Sequence, residues 1–222
     1  MNQDDLANIA AHTKQTDSSY DHIVKVCVAA GCLSAAGAAE TTTWTPDLVH
    51  SRAEFTVSHM VVSKVWGHIP IRSITLVTPK GSVVPTQIDA VLNVAHEDTD
   101  NHDRDADLRS ATYFDVAKYP DMTFKSTKIV ATGKDDFTVT GDLTIKNVTK
   151  SETFPAHVEG IIPDKAGVRI GYSGKLQIDR RDFGIVDARL TEAGVLLVGY
   201  TVDIGLTVEA TSDDRALLHA TK

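Results

Sequence analysis

The sequence predicts an all-β fold, an antiparallel barrel of eight strands with one short helical or loop insert, and three observations predict it. Apolar and polar residues alternate with period two along segment after segment, the pattern of half-buried strands. The segments are separated by clusters of Gly, Pro, Asp and Asn of the kind that close hairpins, such as Gly133-Lys134-Asp135-Asp136 and Pro163-Asp164-Lys165-Ala166-Gly167. From Trp44 to Val208 no stretch keeps a helical period for a usable length. Seven or eight such strands remove their edges most simply by closing up-and-down. At eight strands the interior is either filled by side chains or just wide enough for one slender ligand.

In chain order, Ala53–Met60 places Phe55, Val57 and His59 on one face and Glu54, Thr56 and Ser58 on the other. Gly67-His68-Ile69-Pro70 marks a turn or edge, after which Ile71–Val77 can pair. Gln87–Ala95 alternates through Ile88, Ala90, Leu92 and Val94. Met122–Val130 resumes the pattern, and Phe137–Ile145 carries the cleanest alternation in the chain, with Val139, Gly141 and Leu143 on its apolar face. Ser151–Ile161, Val168–Ile178 (with Tyr172, Gly174 and Leu176) and the long Leu196–Val208 complete the set. Gly141 and Gly174 fall at inward positions, where missing side chains would leave room inside.

The chain has 222 residues, 42% of them hydrophobic, enough for one sizeable core and a single barrel domain. A formal charge of −8 gives no attraction to phosphate backbones, which argues against a nucleic-acid partner. No apolar run approaches the roughly 18 residues of a transmembrane helix. Both cysteines, Cys27 and Cys32, precede the strands, so the barrel is held without a disulfide.

Residues 1–43 form a leader, acidic at first, with a weak apolar trio in Leu6, Ile9 and Ala10. From Val24 two readings compete. As a signal segment, Lys25 is the charged flank, Val26–Ala36 the apolar stretch and Ala36-Gly37-Ala38 the cleavage site, although an acidic leader stands in front. The run VCVAAGC also resembles the first cysteine pair of thioredoxin-like [2Fe–2S] subunits, but a cluster takes four ligands and this chain has two cysteines. The plainest reading is an unstructured or partly helical leader, so cytoplasmic and exported (periplasmic or extracellular) locations stand level.

Chemical motifs are sparse. His96–Asp103 crowds imidazoles with carboxylates, yet an EF-hand from Asp98 would need Gly at 103 and Glu at 109, where Asp103 and Arg109 stand. There is no H-E-x-x-H, no G-x-S-x-G and no glycine-rich phosphate loop. No metal, cofactor or catalytic residue is expected. An enzyme acting on a lipid or small molecule would need His59 beside a carboxylate inside the barrel, and a filled, purely structural barrel is the third reading.

Asp103–Phe124 is the one dense irregular insert. Charges (Asp103, Arg104, Asp105, Asp107, Arg109) precede an aromatic group (Tyr113, Phe114, Tyr119), and a loop of this length in a compact domain commonly carries function. It is expected to fold as a lid or plug across one end of the barrel.

Several of these stretches, taken together, resemble one family. Trp44-Thr45-Pro46-Asp47 with His50-Ser51 and Phe55–Met60, the R-D-x-x-L-R-x-x-x-Y-F-D-x-x-x-Y-P-x-x-x-F pattern from Arg104 to Phe124, Thr140–Ile145, and Arg181-Asp182-Phe183-Gly184-Ile185 are similar, in order, to YceI-like proteins over about residues 44–209, leaving 210–222 as a tail. The resemblance implies a bacterial protein with a lipocalin-like barrel that holds a polyisoprenoid or other long-chain lipid in an apolar tunnel, with a homodimer open. The expected lining is Phe55, Val57, His59, Leu92, Val94, Phe114, Met122, Phe124, Leu143, Ile145, Tyr172, Leu176 and Phe183. Trp66 stands where the resemblance implies a smaller or basic residue, and there it would narrow the tunnel mouth.

Overall fold

A computed structural model describes residues 40–165 and 167–220. The readings made for the leader up to residue 39, including those for Cys27 and Cys32, lie outside the described residues. The strands are β1 (Thr41–His59), β2 (Ser63–Ile69), β3 (Ile71–Pro79), β4 (Gln87–Asn93), β5 (Asp121–Ala131), β6 (Asp136–Ile145), β7 (Val148–Asp164), β8 (Gly167–Asp179) and β9 (Val198–Ser212). Helix α1 (His102–Arg109) lies between β4 and β5, and a short α2 (Leu217–Ala220) follows β9. No described helix is long and apolar enough to cross a membrane.

Each strand from β3 to β9 pairs antiparallel with the next, and β9 pairs with β1, which closes the sheet. Both β2 and β3 pair with β1, at Ala53↔Ile69 and Trp44↔Leu76, and only Pro70 separates them. They are one bent stave, so the barrel has eight. Proline has no N–H to give a ladder, and its carbonyl instead accepts from Asn93 N at 2.8 Å.

β1 is longer than alternation around Phe55 foretells, because Thr42 and Trp44 already face inward and Trp44 Nε1 donates to Thr78 Oγ1 at 3.1 Å. Its register against β9 slips between Asp47 and Arg52. Ser51 holds this bulge, donating to Asp47 O at 2.7 Å and accepting from Glu209 N at 3.0 Å. The C-terminal turn also packs inward: Leu217 is fully buried, and Asp214 accepts from Thr42 Oγ1 at 2.7 Å and Gly81 N at 3.0 Å.

Inward side chains fill most of the half of the barrel away from the lid, where Phe137, Val139, Val168 and Ile170 are 0–1% exposed. The room expected at Gly141 is taken, and that at Gly174 is taken in part. A Cβ at Gly141 would overlap the Phe124 ring and stand 2.6 Å from Lys125 O, and one at Gly174 would be 3.2 Å from the Phe154 ring. These rings pack together with centroids 5.6 Å apart. Gly141 is needed here to admit the aromatic pair, whereas Gly174 also borders a small cavity of about 60 Å³.

Candidate functional site

The lid is built by local hydrogen bonding before it meets the barrel. Asn101 caps α1, its side chain accepting from Arg104 N at 3.0 Å, and Asp103 and Asp105 sit in the first turn with Arg109 in the last, as the helix dipole favours. Asp105 Oδ1 accepts from Thr99 N at 3.0 Å and Thr99 Oγ1 at 2.6 Å, while Arg104 donates to Thr99 Oγ1 and to Thr99 O, both at 2.7 Å. After α1 the chain folds back, Phe114 N to Leu108 O at 3.0 Å and Asp115 N to Ser110 O at 2.8 Å. This turn aims Leu108, Tyr113 and Phe114 into the barrel.

Beneath them is a cavity of about 110 Å³. Its walls include six of the expected residues, Phe55, Val57, Leu92, Phe114, Met122 and Ile145. Tyr172 lines a second cavity of about 60 Å³ toward the opposite end, where its hydroxyl donates to Val83 O at 2.8 Å and burial raises its pKa. Along β6 and β8, Leu143 and Leu176 fall between the residues of the two cavities, and Phe124 on β5 pairs with Leu143; all three are packed in the core. Val94 and Phe183 are buried in 3-10 turns and line neither cavity, and His59 is half-buried at the end of β1, also outside both. Trp66 is 67% exposed on the outer wall, not at a tunnel mouth, because it alternates with the inward Val65 and Gly67.

Ala53, Ile69, Leu108, Tyr113, Ile178, Ile185, Val198, Val202 and Ile204 also line the lid-end cavity and were not anticipated. Ile178, Val202 and Ile204 carried a signal, since alternation puts them inward. Leu108, Tyr113 and Ile185 come from irregular segments with no period to read.

The segment after β8 closes the same end. Arg180 is 5% exposed, and its guanidinium donates to Gly199 O (2.8 Å), Ile185 O (2.6 Å), Asp187 O (2.6 Å) and Val198 O (2.9 Å). Among the described residues it has no carboxylate partner within ion-pair distance. Its polar atoms are occupied by the backbone, and only its stem reaches the cavity wall. The lid and this segment meet where Tyr113 donates to Asp187 Oδ2 at 2.6 Å and Arg189 reaches Asp107 Oδ2 at 2.9 Å. Burial would raise the Asp187 pKa, but the Tyr113 hydroxyl and Arg189 hold it below the ordinary carboxylate value.

Glu97, beside the lid, is 2% exposed, and neither carboxyl oxygen has a hydrogen-bond partner among the described residues. Arg109 Nη1 stands 3.5 Å away. Burial pushes the Glu97 pKa up to about 7 despite that guanidinium.

Other charge clusters lie outside the barrel. Asp47, His50 and Glu209 could together reach a metal ion. Arg169 already ion-pairs with Asp47, Asp164 and Glu209, so the negative charge is answered without one. The hydrogen bond from His50, followed by that from Arg169, outweighs partial burial and lowers the Asp47 pKa to about 2. Among the described residues, histidine–carboxylate pairs occur at His50–Asp47, His102–Asp103 and His157–Asp136, none of them lining the cavities.

Comparison with known proteins agrees with this architecture. A UPF0312 protein of Vibrio parahaemolyticus is 33% identical over 137 residues, 61% of this chain and 72% of the relative. The crystal structure of Burkholderia cenocepacia BcnA superposes with a TM-score of 0.64 at 23% identity, covering 75% of this chain and 99% of that one. A polyisoprenoid binding domain from Saccharophagus degradans, implicated in plant cell wall breakdown, superposes at 0.55 with 16% identity over 76% and 98% of the two chains; at such identities the likeness is one of fold. The YceI-like domain matches residues 44–210, three quarters of the chain, and the protein belongs to the YceI-like family.

Proposed function

We propose that this protein binds a long-chain amphiphile, a polyisoprenoid or related lipid, for carriage, storage or sequestration, with the apolar tail inside the barrel under the lid. The observation that carries the reading is the cavity bounded by Phe55, Val57, Leu92, Met122 and Ile145 and roofed by Phe114. Of the two charged residues on its wall, Glu54 pairs with Arg52 on the exposed face of β1, and Arg180 has its N–H groups turned to backbone carbonyls. Such a space favours hydrocarbon and penalises any unpaired polar group. Family membership and the polyisoprenoid-binding neighbour support the same class.

A prenyl tail that loses roughly 500 Å² of apolar surface gains about 12 kcal/mol before ordering and association costs. No buried charge is then required for affinity. Carriage is favoured over catalysis because, among the described residues, no histidine–carboxylate pair stands at the cavity.

Native mass spectrometry of protein purified from its own host is the test. A co-purifying lipid mass that is lost on delipidation, with saturable binding of a fluorescent prenyl or fatty-acyl probe by the stripped protein, is the expected result. A lipid-free protein that binds neither probe overturns the reading.

A further inference from the structure

Trp66 is one of two tryptophans in the chain, and the contrast between them is chemical. Trp44 is 2% exposed and hydrogen-bonded in the core; Trp66 presents its indole on the outer wall. Across that wall the register puts Trp66 opposite Thr56, Thr56 opposite Asp203 and Asp203 opposite Gln177, a straight row over β2, β1, β9 and β8. One step along the strands, Glu54, Gly205 and Lys175 form a parallel row. A Cβ at Gly205 would meet nothing within 4 Å, so the floor there is bare backbone. The result is a cleft of about 400 Å³ with an aromatic wall and a polar rim.

The rim is charge-balanced. Lys64 Nζ lies 3.8 Å from Asp203 Oδ2, Gln177 Nε2 donates to Asp203 Oδ1 at 2.7 Å, and Lys175 and Glu54 flank the glycine. Donors and acceptors therefore alternate around one exposed apolar ring. We propose that this cleft binds a neutral sugar, one C–H face of the pyranose ring stacked on Trp66 and its hydroxyls bonded to Asp203, Gln177 and Glu54. The balance of charges disfavours the alternatives. A phosphate-bearing ligand would meet two carboxylates on a protein of net charge −8. A cation would displace two lysines. A purely apolar partner would bury the carboxylates and the amide without replacement bonds.

The site is on the opposite side of the wall from the lipid cavity and stands or falls separately from the lipid reading. The test is titration of the whole protein with maltohexaose, cellohexaose and chitohexaose, followed by tryptophan fluorescence and calorimetry. Trp44 is shielded, so Trp66 is the reporter. At least one sugar should give a saturable blue shift with matching heat, and Trp66→Ala should weaken binding by about tenfold or more, the scale of one good aromatic contact. Gln177→Ala should weaken it less while leaving the fluorescence reporter in place. Because Trp66 is exposed, its removal should leave the thermal unfolding midpoint nearly unchanged, so lost binding would not reflect unfolding. Saturable binding that survives Trp66→Ala, or no heat and no shift with any of the three sugars, overturns the proposal. So does a dimer in sedimentation that buries Trp66.

Discussion

The Tyr113 hydroxyl, on the lid, donates to Oδ2 of Asp187, on the segment after β8, at 2.6 Å. Two stretches 74 residues apart, neither with a strand period, are joined there into one roof over the cavity. Arg180 fixes one of them by bonding four backbone carbonyls, Asp187 O among them.

Removing the clasp should loosen the roof without emptying the core. Tyr113→Phe keeps the ring against the cavity but leaves Asp187 with Arg189 alone. A loss of about 1.5–3 kcal/mol is expected, the range for a hydrogen bond to a charged group. Denaturant unfolding measures it, and stopped-flow release of a fatty-acyl probe should be faster in the variant.

Arg180→Met should be more damaging, because four carbonyls lose their donor at once. Each orphaned buried group costs about 1–3 kcal/mol. The expected outcome is loss of cooperative thermal unfolding, or a midpoint lowered well beyond that of Tyr113→Phe. A midpoint matching wild type would show that water replaces the guanidinium.

Glu97 predicts a pH dependence of stability. Its carboxyl is held near 7 in the folded protein by burial, against 4.5 when free, so the folded state prefers the neutral form. Its contribution is full below about pH 4.5 and is lost as pH rises through about 7. The penalty is at most about 3 kcal/mol. Wild type should lose more stability between pH 5 and pH 8 than Glu97→Gln, whose amide cannot ionise. Parallel pH profiles from urea unfolding would count against it.

Phe124 packs in the core beside Leu143, which falls between the two interior cavities along β6. Phe124→Ala should cost about 3–5 kcal/mol, as for other buried Phe truncations, while joining the two spaces. In an acyl-chain series the variant should prefer longer chains than wild type. An unchanged optimum would mean that bound lipid already displaces the ring.

Ala53 lines the lid-end cavity beside Phe55 and is 3% exposed. Ala53→Phe should fill it and abolish acyl-probe binding with a stability change of about 1–3 kcal/mol in either direction, set by whether filling the void outweighs overpacking. Probe titration and thermal unfolding of the same sample separate the two effects.

The sequence by itself determined the closed barrel and much of its lining, because a strand's side-chain period is two and each alternating run declares which residues face in. Phe55, Val57, Leu92, Met122 and Ile145 were legible for that reason, and Asp103–Phe124 stood out as a lid because its pattern is unlike a strand. Only the tertiary structure decided what the inward faces do to one another. Gly141 and Gly174 read as open room, yet the Phe124 ring fills it at Gly141 and the Phe154 ring narrows it at Gly174, and no local period reports what a neighbouring strand projects. His59 shows the same limit, since alternation set its face while the strand end placed it beyond the cavity, and Trp66, expected at a tunnel mouth from resemblance, stands on the outer wall. The Tyr113–Asp187 clasp and the four bonds of Arg180 depend on chain reversals between irregular segments, where sequence carries residue types but no geometry.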